Sequence, residues 1–140
     1  MTYLLDTCVI SELASTKPNQ SVVAWIDDLN DEDIYLSVIT LGEIRRGIDR
    51  LPISSKRKTL EKWLQSILVR FQSNIISVDT SIILHWGSLV AELDKNGTPM
   101  PAIDSLIAAS ASFHRLTLVT RNVADFKNSK IPLFNPWKSK

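Results

Sequence analysis

Residues 3–13 read YLLDTCVISEL, and this stretch decides the architecture. Tyr3-Leu4-Leu5 is short, large and apolar throughout, as a strand covered on both faces should be. Asp6 follows at once and leads into an apolar-periodic run beginning near Thr7, the pattern of a helix with an acidic cap. A strand passing through one polar residue into a helix is the building block of a parallel sheet.

The rest of the chain repeats that block. Ile34-Tyr35-Leu36, Ile75-Ile76-Ser77-Val78 and Leu116-Thr117-Leu118-Val119 are the further strand candidates. Between them, helical spacing joins Val22, Trp25, Ile26 and Leu29; Leu41, Ile44, Ile48 and Leu51; and Leu60, Trp63, Leu64, Ile67, Leu68 and Phe71. Ile82, Ile83, Trp86, Leu89, Val90 and Leu93 form another such face, stopped by Asn96-Gly97. Ile131-Pro132-Leu133-Phe134 reads as a last strand, which its proline restricts to an edge. The expectation is an α/β protein with a short, mainly parallel sheet between helical layers.

Composition bounds the function. The 140 residues suffice for one domain, expected over 1–140, that buries roughly two thirds of its unfolded surface. With 44% hydrophobic and 22% charged residues, 4 Gly and 6 Pro, the chain is neither disordered nor repetitive. Cys8 is the lone cysteine, so no internal disulfide forms, and the opening residues do not read as a signal peptide; a cytoplasmic setting is expected. The longest apolar run, Val22 to Ile26, falls far short of the ~20 residues of a membrane span.

Familiar catalytic devices are missing: no GxGxxG, no GxxxxGK[ST], no GxSxG, and no zinc-ligand spacing among His85, His114 and Cys8. Both histidines fall in helical segments and are read as structural. Carboxylates remain. Asp6, at the end of the first strand, borders the crevice where open parallel sheets bind ligands, although taken alone it reads first as a helix cap. Asp104 stands in the first turn of AIDSLIAASA, a segment apolar or small all round, where a carboxylate needs a metal or cationic partner beyond what the helix terminus supplies. Glu43 lies off the apolar stripe of its helix between Gly42 and Gly47, a pattern that suggests close approach to the backbone or else a surface pair with Arg46. Asp125 follows the strand ending at Val119, in company with Thr120 and Asn122, each of which a turn or cap also explains. Asp79 reads as a helix cap, and Asp27, Asp28, Asp31 and Asp33 as a solvated stretch.

Together LLDTCVISEL, SVITLGEIRRGI and PMPAIDSLIAASASFHRLTLVTRNVADF, in this order, resemble the PIN-domain nucleases, and within them the VapC-like toxins of type II toxin-antitoxin modules, including the FitB-like branch. The resemblance implies a three-layer α/β/α PIN-like domain in which Asp6, Glu43, Asp104 and Asp125 serve as catalytic acids and ligands of Mg²⁺, with Mn²⁺ as the other candidate. Thr7, Thr120 and Asn122 match the small polar residues lining that pocket, whereas Cys8 stands where many relatives carry Asn and is given no polar role. It further implies a ribonuclease that hydrolyses structured RNA, such as tRNA or rRNA loops, with a metal-activated water. The implied partners are a second copy of the chain and a cognate VapB- or FitA-like antitoxin, in a toxin-antitoxin hetero-oligomer without membrane contact.

Two rival enzymes and one binding module compete with this reading. A HAD-like phosphatase needs a second Asp where Cys8 stands, and a receiver domain needs an acidic pair near the first strand. A PIN-like domain that only binds RNA or an antitoxin is the non-catalytic alternative. The formal charge of +1 hides a pattern: residues 1–42 carry −6, 43–72 carry +5, 73–112 carry −3 and 113–140 carry +5. The basic blocks adjoin Glu43 and Asp125, which marks Arg45, Arg46 and Arg121 as candidates for holding a phosphate backbone. Lys56 to Lys62 read mostly as the wet side of an amphipathic helix.

Overall fold

A computed structural model describes residues 1–138; Ser139 and Lys140, the end of the expected domain, lie outside the described residues. In chain order the elements are β1 (Tyr3–Leu5), α1 (Thr7–Leu13), α2 (Gln20–Asp27), β2 (Ile34–Ser37), α3 (Val38–Asp49), α4 (Ser55–Arg70), β3 (Ile75–Ile76), α5 (Thr80–Lys95), α6 (Ala102–Phe113), β4 (Thr117–Val119), α7 (Val123–Phe126) and β5 (Leu133–Phe134). The strands form one sheet in the order β3-β2-β1-β4-β5, with every pairing parallel.

Strand alternation sorts side chains onto two faces. Leu5, Leu36, Val119 and Phe134 point to the side covered by α1 to α4, where Val9, Ile10, Val22, Ile26, Ile44, Leu64 and Ile67 meet them. Leu4, Tyr35, Leu118 and Leu133 point to the other, against Ile82 of α5, Ile107, Ala108 and Ala111 of α6 and Phe126. The expected three-layer α/β/α arrangement is therefore observed, and Pro132 precedes an edge strand as its chemistry requires. Among the described residues no helix is long and apolar enough to cross a membrane.

Several local readings need correction. The strand expected over Ile75 to Val78 pairs only at Ile75 and Ile76, opposite Leu36 and Ser37, because β2 ends there and passes into α3. His114 caps α6 rather than lying within it. Asp31 is no free solvated acid: Arg70 at the end of α4 grips both its oxygens at 2.9 Å. Asp79 does cap α5, accepting the Ile82 N–H at 3.0 Å.

Candidate active site

The chain builds β1, β2 and β3 outward in one direction, then crosses to β4 on the opposite side of β1. This reversal opens a crevice at the carboxyl ends of β1 and β4, where open α/β sheets place their ligands. Asp6 and Thr120 stand at those two ends, and the Asp6 N–H bonds the Val119 carbonyl at 2.9 Å.

Asp6 combines both roles that its position suggested. Its Oδ1 accepts the Thr7 N–H at 2.8 Å, which caps α1, while Oδ2 accepts the Thr120 hydroxyl at 2.8 Å. Thr120 is fully buried and in turn accepts the Asn122 N–H at 3.0 Å, so its hydroxyl proton is directed to Asp6. These donors fix the carboxylate and leave Oδ1 a further lone pair.

Glu43, on α3, accepts a 2.5 Å hydrogen bond from the Thr7 hydroxyl and makes no pair with Arg46. Thr7 thereby ties α3 to the start of α1. Gly42 and Gly47 do not receive a close neighbour: no protein atom lies within 4 Å of where a Cβ would stand, and Gly47 instead faces an open groove. That groove, about 420 Å³, is also lined by Thr7, Glu43, Lys56, Leu60 and Trp63. Trp63 is thus half-buried against the core while presenting surface to the groove, and Trp25 packs at 5.0 Å against both Tyr3 and Phe134.

Asp104 occupies the first turn of α6. It is less enclosed than expected, since Ala102 and Ile103 beside it are exposed; the fully buried part of α6 is its middle. Even so, its carboxyl is raised above the usual aspartate range, first by burial and then by the negative charges of Asp6, Asp125 and Glu43. The charges of Asp6, Asp125 and Glu43 thus act on Asp104 from distant parts of the chain, which puts the four acids in one neighbourhood. Asp125 is exposed in the first turn of α7, where its N–H bonds the Asn122 carbonyl at 3.0 Å.

The cationic rim is uneven. Arg45 pairs with Asp49 at 3.3 Å, Arg57 pairs with Asp49 and Glu61, and Arg46 makes no ion pair among the described residues. The Arg121 guanidinium lies over the Trp137 ring, 5.3 Å from its centroid.

Two site residues escaped the sequence reading. Cys8 is not inert: its thiol reaches Asp6 Oδ2 at 3.8 Å and Thr120 Oγ1 at 3.7 Å, and its sulfur accepts the Arg121 N–H at 3.5 Å. Burial pushes this thiol up, opposed by the Arg121 N–H and reinforced by the Asp6 charge, so it stays protonated at neutral pH. Thr40, fully buried, lies 3.5 Å from the Thr7 hydroxyl. Its place three residues before Glu43, hence on the same helix face, was a usable signal.

The donor set suits a hard divalent ion. The converging acids are all carboxylates, and the repulsion felt by Asp104 is relieved by a cation. Among the described residues no three His, Cys, Asp or Glu side chains stand close enough together, as placed, to hold a metal ion by themselves. A Mg²⁺ held here would take one or two carboxylates and keep several waters.

Comparison with known proteins agrees with the geometry. The sequence profile of the PIN domain matches residues 3–129. The chain is similar to the toxin FitB of Neisseria gonorrhoeae (strain ATCC 700825 / FA 1090), at 40% identity over 96% of this chain and 97% of the relative. The VapC ribonuclease Y4jK of Sinorhizobium fredii (strain NBRC 101917 / NGR234) is 32% identical over 96% of this chain and 97% of its own. The crystal structure of FitAcB from Neisseria gonorrhoeae superposes with a TM-score of 0.93 and 39% identity, covering 99% of this chain and 100% of that one. This chain belongs to the PIN domain family.

Proposed function

We propose that this protein is the endoribonuclease toxin of a type II toxin-antitoxin pair, a metal-dependent hydrolase of RNA phosphodiesters acting in the bacterial cytoplasm. The observation that carries the reading is the convergence of Asp6, Glu43, Asp104 and Asp125 at the crevice beside β1 and β4. Kinship with a toxin and a VapC ribonuclease over nearly the whole chain supports it.

Asp6 and Asp104 are the main holders of Mg²⁺, or of Mn²⁺ in its place, with Glu43 and Asp125 completing the site directly or through water. When bound, the ion lowers the pKa of a coordinated water and offsets charge developing on the phosphoryl oxygens. The chain's own residues supply the orientation. Thr120 and the Thr7 N–H aim the Asp6 carboxylate, and the Thr7 hydroxyl fixes Glu43. Arg46 and Arg121 bring positive charge to the rim, where the RNA backbone needs it. Loops of tRNA or rRNA are the substrate class, since unstacked bases are where RNA sequence is read. The chain is silenced by a VapB- or FitA-like antitoxin, as the FitAcB likeness supports, and it acts as a homodimer.

The test is to map the 5′ ends of cellular RNA after brief expression of wild type and Asp104→Asn. New ends confined to the wild type are expected. Growth arrest that persists in both Asp6→Asn and Asp104→Asn would favour a module that binds RNA or antitoxin without cutting.

A further inference from the structure

Arg121, which follows the site residue Thr120, forms no ion pair among the described residues; its guanidinium lies over the Trp137 ring, 5.3 Å from the centroid. Its backbone is pinned to the site from both sides. The Arg121 N–H bonds the Cys8 sulfur at 3.5 Å, and the preceding residue, Thr120, donates to Asp6 at 2.8 Å. The stacking ring is itself anchored. The Thr120 N–H pairs with the Phe134 carbonyl at 2.9 Å, the Trp137 N–H bonds Asn135 Oδ1 at 2.9 Å, and the Trp137 ring packs against the first core cluster. The Asn135 amide also reaches the Arg121 carbonyl at 3.5 Å.

We infer that Trp137 is a positioning residue: it holds the Arg121 guanidinium at the rim of the acidic crevice, ready to grip an RNA phosphate next to the bond being cut. This rests on the ribonuclease reading. A guanidinium stacked on a ring keeps its planar donor edge free for a phosphate while losing rotamer freedom before substrate arrives. Less ordering then remains to be done on binding. A phosphate is favoured over a protein carboxylate because Arg121 is tied to Asp6 through Thr120 and Cys8, where the reacting backbone must lie.

The test measures Mg²⁺-supported cleavage of a labelled RNA by wild type, Arg121→Gln, Trp137→Leu, Trp137→Phe and Arg121→Gln/Trp137→Leu, at several salt concentrations, with thermal melts as a folding check. Arg121→Gln should raise KM about tenfold with kcat little changed, and should reduce the salt dependence of KM by about one phosphate contact. Trp137→Leu should raise KM roughly 2- to 5-fold, and Trp137→Phe, which keeps a ring, less. The double variant should be no worse than Arg121→Gln alone. Losses that multiply in the double variant, or a Trp137 effect on kcat alone, would overturn the inference. So would an unchanged KM together with weakened antitoxin inhibition, which would assign Arg121 to the protein partner. If Trp137→Leu fails to fold, Trp137→Phe and the salt dependence of Arg121→Gln decide. A wild type that cuts no RNA overturns the ribonuclease reading and this inference together, whereas a cutting wild type with an unaffected Trp137→Leu overturns only the inference.

Discussion

Replacing Thr120 by Val keeps the side-chain volume but removes the hydroxyl that donates to Asp6 at 2.8 Å. Thr120 is fully buried and Asp6 is 9% exposed, so water cannot easily take the donor's place. Net stabilisation by a hydrogen bond to a charged group is about 1.5–3 kcal/mol. The second lost bond, from the Asn122 N–H, counts for less because Asn122 is exposed and water can replace Thr120 there. The apolar methyl gained offsets part of the loss, which leaves a cost of about 2 kcal/mol. With a urea slope of about 2 kcal/mol/M, the metal-free midpoint should fall by about 1 M. In an Asp6→Ala background the same change should cost under about 0.5 kcal/mol, since the acceptor is gone. By calorimetry, Mg²⁺ should also bind about 10- to 100-fold more weakly to Thr120→Val, as happens when a group orienting a metal ligand is lost. An unchanged urea midpoint, or an equal cost with and without the Asp6 carboxylate, would refute the claim that Thr120 fixes Asp6.

Without metal, the Asp104 carboxyl is raised in the folded state, so in the range above the usual aspartate pKa the folded chain binds more protons than the unfolded one. Stability in EDTA should therefore fall as pH rises from the ordinary aspartate value through the raised one. Asp104→Asn should remove that fall and melt higher than wild type at neutral pH, while losing stabilisation by Mg²⁺; melting curves across pH for both proteins check this. Asp31 behaves in the opposite sense. Arg70 lowers its carboxyl chiefly by hydrogen bonding, so the stability it contributes is present above the usual aspartate pKa and lost as pH falls through the lowered one. Asp31→Asn should abolish that acid-limb loss at a cost of at most about 1 kcal/mol at neutral pH, because the pair is exposed.

Much of the fold was legible because its signals are local. Helical spacing marks the faces of α2 to α5, and the five runs read as strands each contribute a parallel strand. Strand ends were less legible: Ser77 and Val78 have strand chemistry, but pairing depends on where β2 stops. In the site, Asp6 and Asp104 stood out through their positions at a strand end and in an apolar helix, features visible along the chain. What brings them together is the reversal of strand order at β1, which no local pattern encodes. For the same reason no local pattern gives Cys8 a polar role, although Thr120 and Arg121, over a hundred residues away, supply its polar neighbours. Asp31 looked solvated because Arg70 lies 39 residues on. The glycines of α3 signalled an unusual surface, but what they leave is an open groove rather than a close contact.

The chemistry of the cut ends tests hydrolysis by a metal-activated water most directly. A labelled RNA incubated with the purified protein and Mg²⁺ should yield 3′-hydroxyl and 5′-phosphate ends, and should stay intact with EDTA or with Asp104→Asn. Cleavage to 2′,3′-cyclic phosphates, or cleavage that survives EDTA and Asp104→Asn, would contradict it.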